Sequence, residues 1–311
     1  MKSPLNVIVI CNIGIYVQNI NDKYAYLCKQ CINYPQISFK YAAENGHLKI
    51  VKLLLNDSRI DPSDDYNFAI RRAARNGHLE IVKLLLNDSR VDPSDDYNFA
   101  IKQAVMYGHL EVVKLLLEDP RVDPSDLAFQ YAALKGHLEI VKLLLNDSRV
   151  DPSDYDNLAI QWAAEYGRMD VVKLLLKDSH VDPSDNDNYA IRYAVMYEHL
   201  EVVKFLLNDS RVDPSDENNA AIRYAASNGY FEIVKLLLKD LRVDPGDDHN
   251  LAIRNAAENG HLDVVKLLLA DSRVDPSAND NAAIRVAASA GHHEVVKLLL
   301  EDSRVDPSVD E

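Results

Sequence analysis

The sequence predicts an all-α solenoid, a curved rod of stacked helix–turn–helix repeats, and three observations lead to this fold class. The dipeptide Asp-Pro preceded by Val or Ile occurs nine times, and seven of the eight intervals between these copies are 31 residues while the other is 28. Apolar residues follow helical spacing between these dipeptides, and a glycine separates two helical stretches in almost every interval. A fixed period in this range indicates a repeat array whose single elements cannot fold alone. The prolines are Pro62, Pro93, Pro124, Pro152, Pro183, Pro214, Pro245, Pro276 and Pro307.

The second repeat shows how the sequence specifies each element. Asn67 is a good N-cap residue, because its side-chain oxygen can accept a hydrogen bond from the first helical turn. A short helix is predicted over about 68–76, and Gly77 stands where a left-handed residue must end it. A second helix then opens at His78, with apolar residues at helical spacing along one face. Residues 92–95, Asp-Pro-Ser-Asp, are typical of a turn, since proline fixes φ and the polar side chains bond the local backbone.

These residues resemble the ankyrin repeat, whose pattern is T-P-L-H-x-A-A, then x-x-G-H, then L-E-V-V-K-L-L-L. The second half is matched almost letter for letter, as in residues 260–269. In the first half, residues 68–71 (Phe-Ala-Ile-Arg) stand where T-P-L-H is expected, and the hairpin glycine is replaced, as by Tyr66. The resemblance covers about residues 36–310, and its departures concern the β-hairpin tip rather than the helix pair. The short Asp-Pro-Ser form is similar to ankyrin proteins abundant in giant DNA viruses of amoebae, which implies the host cytoplasm.

Residues 1–35 differ from the rest and are interpreted as a degenerate leading repeat that covers the first of nine regular repeats, which occupy residues 36–311. A signal peptide is the alternative for the apolar run 7–11. Only Lys2 supplies a charged n-region, Asn12 interrupts the run, and no small-x-small cleavage site follows. No segment reaches the roughly 18 uninterrupted apolar residues of a membrane helix, so no membrane span is predicted.

Four repeats depart from the pattern at defined positions. The fourth lacks three residues between Asp126 and Leu127, so its tip must be shorter. In the sixth, Glu198 occupies the turn-glycine position, where a left-handed non-glycine residue costs on the order of 1 kcal/mol unless the turn changes locally. The histidine before the second helix becomes Arg168 in the fifth repeat and Tyr230 in the seventh.

The charge and the cysteines exclude several classes of partner. The net charge is −15 and no repeat carries a basic stripe, so no nucleic-acid partner is predicted. Acidic loops such as residues 61–65 lack the ligand alternation and the distal bidentate Glu of a calcium site, and are interpreted as solvated turns.

Cys28 and Cys31 have no second ligand pair nearby for zinc, so no metal or cofactor is predicted. With Cys11 they make an odd number without a disulfide framework, which fits a reducing compartment such as the cytoplasm.

Catalysis is not predicted either. The histidines recur because the repeat recurs, and a turn-capping role explains them without chemistry. No His-Glu-x-x-His segment, phosphate-binding glycine loop or nucleophile elbow occurs in the sequence. The copies of this one position are His47, His78, His109, His137, His199 and His261.

The positions that vary between repeats indicate a binding surface. They are the residue two after the core isoleucine and the pair before the turn glycine. In ankyrin proteins this pair looks, with the loop tips, into the concave groove where partners bind. Tyr, Trp and Met are enriched at interface hot spots and adaptable binding surfaces, and they concentrate in repeats three to seven. The candidate partner-binding residues are Tyr107, Tyr131, Trp162, Tyr166, Tyr193, Met196, Tyr197 and Tyr224. The alternative, that such rings fill gaps between helices, remains open, above all for Trp162.

The sequence therefore predicts a non-catalytic module that binds a partner protein on its concave face. One alternative is the recognition subunit of an enzyme assembly such as a ubiquitin ligase, although no F-box or similar docking segment is visible. Another is a structural scaffold that self-associates through its ends. The ninth repeat keeps the apolar interior pattern, so we expect it to fray or to be covered weakly, end to end, by a second copy.

Overall fold

A computed structural model of the chain describes residues 34–124 and 127–305, and no β-strand occurs in this part. It divides into two compact units, an N-terminal unit that ends at Asp151 and a C-terminal unit that begins at Pro152. The predicted all-α fold of helix pairs is confirmed. The interpretation of residues 1–35 as a leading repeat concerns a segment of which only the last two residues are described. The three cysteines lie outside the described residues.

The helices come in pairs, one pair for each repeat, and each odd-numbered helix packs against the even-numbered helix that follows it. In the N-terminal unit they are α1 (Pro35–Glu44), α2 (Leu48–Leu54), α3 (Asp64–Arg75), α4 (Leu79–Leu86), α5 (Asp95–Met106), α6 (Leu110–Leu117), α7 (Ala128–Lys135) and α8 (Leu138–Leu145). In the C-terminal unit they are α9 (Asp154–Glu165), α10 (Met169–Leu175), α11 (Asp185–Met196), α12 (Leu200–Leu207), α13 (Asp216–Ser227), α14 (Phe231–Leu237), α15 (Asp247–Glu258), α16 (Leu262–Leu269), α17 (Ala278–Ser289) and α18 (His293–Leu300).

The core of each unit repeats the same small set of side chains. In the second repeat Ile70, Ala73 and Ala74 of α3 and Val82 and Leu85 of α4 are fully buried. Within a unit, consecutive odd-numbered helices lie alongside one another, and the even-numbered helices contact each other less extensively. The alanines permit this close approach of the first helices, while the larger side chains supply about 1.5–3 kcal/mol each on burial. Stacking therefore buries faces that no single helix pair could cover.

Each repeat with a full-length tip enters its first helix through a left-handed turn, where a hairpin was the family expectation. At Asp65, Tyr66 and Asn67 the φ angles are 59°, 53° and 55°, and right-handed helix follows from the next residue. The same conformation recurs at residues 96–98, 155–157, 186–188, 217–219, 248–250 and 279–281. A left-handed turn of L-residues costs about 1–2 kcal/mol per residue. Other contacts must offset that strain.

A basic side chain four residues after the turn covers its carbonyl groups. Arg71 Nη2 donates to the Asp65 carbonyl at 2.8 Å, and its Nη1 reaches Asp96 Oδ2 of the next repeat at 2.6 Å. Equivalent arginines donate to turn carbonyls in four repeats of the C-terminal unit: Arg192, Arg223, Arg254 and Arg285. These bonds satisfy backbone oxygens that a right-handed helix would have used internally.

The N-cap role expected for Asn67 is wrong, because its backbone is left-handed and its side chain faces the next repeat. Asn67 is 3% exposed. Its Nδ2 donates to Asp95 Oδ2 at 2.8 Å, and its Oδ1 accepts from the Asp92 backbone N–H at 2.9 Å. The same pair of bonds recurs at Asn157, Asn188 and Asn219. A buried asparagine thus ties each of these turns to the loop one repeat later.

In most repeats an Asp-x-Arg segment shortly before the Asp-Pro turn, usually Asp-Ser-Arg, makes a second tie, directed to the preceding repeat. Arg273 donates to the carbonyls of Val243 at 2.7 Å and Leu238 at 2.9 Å, and its guanidinium also pairs with Asp271. Arginines at the equivalent position bond the preceding loop in six further repeats: Arg90, Arg121, Arg149, Arg211, Arg242 and Arg304. Because hydrogen bonds from the arginine favour the charged carboxylate, they lower the pKa of the paired aspartates.

The turn glycine of one repeat packs against the recurring histidine of the next repeat. Gly77 has φ 72°, as expected, and a Cβ there would lie 2.5 Å from the His109 ring of the next repeat. His109 Nε2 lies 2.8 Å from the Arg75 carbonyl at the end of α3. The histidine therefore bonds the carbonyl end of the preceding first helix, and this is the structural reason for its recurrence. In the sixth repeat Glu198 does take the left-handed conformation, with φ 59°.

Candidate functional site

The predicted partner-binding residues of the C-terminal unit lie on the first helices. Tyr166 and Tyr197 directly follow α9 and α11 as their C-cap residues, and they are 48% and 51% exposed. Tyr224 on α13 is also exposed. The other three predicted residues, Trp162, Tyr193 and Met196, are half-buried. Half-burial fixes a ring in one orientation while leaving part of it for a partner.

Three tyrosines four residues apart form a row along α11, which we call the tyrosine row: Tyr189, Tyr193 and Tyr197. The rings of Tyr189 and Tyr193 stack with centroids 3.7 Å apart and an interplanar angle of 9°. The rings of Tyr193 and Tyr197 are 6.4 Å apart and tilted by 38°. Tyr189 was missed by the sequence argument, although its spacing of four from Tyr193 places it on the same helix face.

Polar contacts hold the row against α9. The Tyr189 hydroxyl donates to Glu165 Oε2 at 2.8 Å. Burial raises the pKa of Tyr189, and the neighbouring Glu165 carboxylate raises it further, so the hydroxyl stays protonated as a donor. The backbone carbonyl of Glu165 in turn lies 2.8 Å from His199 Nε2. One glutamate therefore receives a side-chain bond from the row and a backbone bond from the histidine that precedes α12.

An open depression of about 320 Å³ lies next to the row. It is lined by Glu165, Tyr166, Tyr197 and His199. Of the predicted residues it brings together the two C-cap tyrosines. The lining combines two half-exposed tyrosines and a histidine with one glutamate, a set that suits a hydrogen-bond donor or a cation.

The predicted residues of the N-terminal unit are Tyr107 and Tyr131. Tyr107, the C-cap residue of α5, is 46% exposed, and the Arg75 guanidinium carbon lies 4.9 Å from its ring centroid. Tyr131 on α7 is half-buried. Here the chain covers a tyrosine face with its own cation.

The loop tips carry exposed rings that were not among the predicted residues. Tyr66 and Tyr97 lie in the middle of left-handed turns, and Tyr155 is the first residue of the left-handed turn at the start of α9. All three side chains are exposed. The signal was present in the repeated segment Asp-Asp-Tyr-Asn, at residues 64–67 and 95–98. A large apolar ring at a loop tip adds exposed area that a partner can contact.

Two structural features of other protein classes do not occur in the described part of the chain. Within residues 34–124 and 127–305, no group of three or more His, Cys, Asp or Glu side chains is placed to hold a metal ion. Every described helix is too short or too polar to cross a lipid bilayer.

Comparison with known proteins shows what this architecture is similar to. A family model described as "Ankyrin repeats (3 copies)" matches residues 39–127, 101–187, 179–251 and 224–310. No curated protein matches the chain. A solved structure, "Crystal structure of the ankyrin repeat domain of Bcl-3: a unique member of the IkappaB protein family", is similar with a TM-score of 0.51 and 20% sequence identity. The match covers 65% of this chain and 97% of that chain, and at this identity it shows the fold alone.

Proposed function

The chain belongs to the ankyrin-repeat family, and on that premise we propose that it binds a partner protein through the first helices of the C-terminal unit. Ankyrin repeats generally mediate protein–protein interaction. We assign the binding surface to the concave side, where the family presents these helices, and we assign no catalytic role. The observation that carries the proposal is the tyrosine row with its flanking depression.

The row has the properties of a binding hot spot. Its rings are held by stacking and by the Glu165 hydrogen bond, so little side-chain entropy is lost when a partner covers them. Tyr197 and the neighbouring Tyr166 each expose about half of their surface. Tyrosine and tryptophan in such settings dominate the affinity of protein interfaces. At the position of Tyr166 and Tyr197 the eighth repeat carries the polar Asn259, so the fold does not require a ring there.

The test compares a ring with its polar counterpart. The partner is first captured from a host lysate by the full chain and identified by mass spectrometry, and its Kd is then measured by calorimetry. Tyr197→Ala and Trp162→Ala should each weaken binding by about 2 kcal/mol, roughly thirtyfold in Kd. Asn259→Ala, at the position equivalent to Tyr197, should have little effect. Equal losses for all three variants would refute a surface centred on the aromatic residues.

Nucleic acid is not the proposed partner, for reasons of charge. Four arginines, Arg192, Arg223, Arg254 and Arg285, occupy the same position in four successive repeats. Each of these side chains donates to a carbonyl of its own left-handed turn. With a net charge of −15, the protein should bind DNA only weakly at physiological salt. The viral origin and host-cytoplasm setting stay predictions from the resemblance.

A second copy of the chain is the second proposed partner, through the ninth repeat. Ala288 is exposed and Val296 half-exposed, whereas their eighth-repeat counterparts Ala257 and Val265 are fully buried. Leu300 beside them is 45% exposed. Elsewhere in the same unit the following repeat covers this surface. A repeat of a second copy of the chain can therefore cover it in the ninth repeat.

Weak self-association should be visible in sedimentation equilibrium as an average mass that rises with concentration. Leu300→Glu should abolish that rise, because it places a charge in the contact. Leu241→Glu, a change at a loop residue that is 92% exposed, should leave the rise unchanged. A wild-type mass that stays monomeric at high concentration would rule out this contact.

A further inference from the structure

The chain shows in its N-terminal unit how one position of the repeat receives a cation. Arg75 is the last residue of α3, and Tyr107 is the C-cap residue of α5, one repeat later. The guanidinium carbon lies 4.9 Å from the ring centroid. This is inside the roughly 6 Å within which a cation is attracted to a ring face.

The same two positions in the C-terminal unit are occupied differently. Glu165 is the last residue of α9 and Tyr197 is the C-cap residue of α11. A carboxylate thus stands where Arg75 stands, and no lysine or arginine of the described residues lies over the ring of Tyr166 or Tyr197. Both rings remain about half exposed.

The Glu165 carboxylate uses one oxygen in a hydrogen bond within the chain, and its other oxygen is available to a partner. Glu165 Oε2 accepts from the Tyr189 hydroxyl at 2.8 Å. Among the contacts of the described residues, Glu165 Oε1 accepts no hydrogen bond. The depression in front of it, about 320 Å³, is lined by the two C-cap tyrosines and His199. His199 Nε2 is occupied by the Glu165 carbonyl, so the histidine fills the wall of the depression.

We propose that this depression binds an arginine side chain of the partner protein, which lies on the ring of Tyr197 and pairs with Glu165. The inference rests on the proposed function, since it names the chemistry of the partner at the same surface. Arginine fits better than lysine, because its planar guanidinium stacks on aromatic faces and its several N–H donors match a carboxylate. Arg75 over Tyr107 is the chain's own example of that geometry.

The eighth and ninth repeats supply a natural control. Glu258 and Ala290 occupy the positions of Glu165 and Tyr197. They line a depression of about 560 Å³ that also contains the chain's own Arg285. A carboxylate is present there without a ring, so the arrangement lacks half of the proposed site.

The first test uses short peptides and the intact chain. Acetyl-Gly-Arg-Gly-amide, its lysine analogue and its citrulline analogue are titrated while the ring NMR signals of Tyr166 and Tyr197 are followed. Citrulline has nearly the shape of arginine and no charge. We expect millimolar binding of the arginine peptide, with the citrulline peptide roughly tenfold weaker and the lysine peptide between them. Glu165→Gln should weaken the arginine peptide roughly tenfold while preserving an acceptor for Tyr189, and Glu258→Gln should leave it unchanged.

The second test lets the chain fill its own site. Glu165→Arg copies the Arg75–Tyr107 arrangement, so the new guanidinium should cover Tyr197 and abolish peptide binding. The reciprocal change, Arg75→Glu, should open Tyr107 to the same peptide. Both variants remain informative about folding through their circular dichroism spectra, because the altered side chains lie outside the core.

The outcomes separate this inference from the proposed function. A citrulline peptide that binds as tightly as the arginine peptide overturns the inference, and so does an arginine peptide that leaves the ring signals unchanged. If the captured partner is lost with Tyr197→Ala but retained with Glu165→Gln, the inference is wrong and the proposed surface stands. A partner that binds equally well to both variants overturns the inference and the proposed surface together.

Discussion

Glu198 and Tyr230 replace the glycine–histidine pair at one place in the C-terminal unit, and their coupling can be measured. At six turn glycines an added Cβ would lie 2.5–2.8 Å from the nearest atom of the next repeat's histidine ring. The one turn of the described repeats that carries a larger residue, Glu198, is followed one repeat later by Tyr230 in place of histidine. The Tyr230 hydroxyl donates to the Met196 carbonyl at 3.4 Å, a longer contact than the 2.8 Å of His199 to Glu165.

The distances give the sign and the size of three effects. Glu198→Gly removes left-handed strain and should stabilise the protein by on the order of 1 kcal/mol. Tyr230→His alone places a ring against the Glu198 Cβ, which must then shift, at a cost of about 1–3 kcal/mol. In the double variant the ring has room and gains the shorter bond to Met196, so the cost disappears. The two changes should therefore be coupled by about 1–3 kcal/mol.

Urea denaturation of the wild type, both single variants and the double variant measures this coupling. Far-UV circular dichroism reports all helices, and fluorescence of Trp162, the single tryptophan, reports the neighbouring fifth repeat. Additivity within about 0.5 kcal/mol would refute the argument that the ring excludes a side chain at the turn. A neutral Tyr230→His single variant would refute it as well.

Two further predictions concern the contacts that join repeats. Asn219→Ala should destabilise the protein by about 2–3 kcal/mol in urea denaturation, because it leaves the Asp244 backbone N–H and the Asp247 carboxylate without their partner. Asn218→Ala, at an exposed residue of the same left-handed turn, is the control and should cost far less. The Arg59 hydrogen bonds lower the pKa of Asp57 from 3.8 to about 2. The contribution of Asp57 to the free energy of unfolding is therefore complete above about pH 4 and is lost as the pH falls through about 2. Asp57→Asn should reduce the acid-induced fall of the urea midpoint. An unchanged dependence of the midpoint on pH would contradict this.

The helices and the core could be predicted because their signals are local and repeated. The buried Ile70, Ala73 and Ala74 follow helical spacing in the sequence, and Gly77 marks the end of the helix. The left-handed tip could not be predicted, because asparagine suits both an N-cap and a left-handed turn. The choice at Asn67 depends on the loop one repeat later, which receives both of its hydrogen bonds.

The candidate site was predicted in part for a similar reason. Comparison of the repeats singles out Tyr166 and Tyr197, because this exposed position varies while the core does not. It does not single out Tyr189, which belongs to a different position of the repeat and joins the site only by stacking on Tyr193. Nor does it reveal that Glu165 anchors the row, because that bond links side chains 24 residues apart.

The contacts that join the repeats and the exposed residues proposed for binding occupy different positions of each repeat, and this separation explains how so regular a chain can present a varied surface. The buried asparagine, the loop arginine and the histidine bond mostly to backbone atoms or to loop aspartates of neighbouring repeats, as Arg273 bonds Val243 and Leu238. Backbone carbonyls are the same in every repeat, so these ties survive changes at the exposed positions. Exposed C-cap positions such as that of Tyr166 are then free to change with an effect on stability within about 0.5 kcal/mol. The proposed function therefore predicts that the exposed residues which depart most from their counterparts, Tyr197 beside Glu165 above all, reflect the partner's chemistry rather than the needs of the fold.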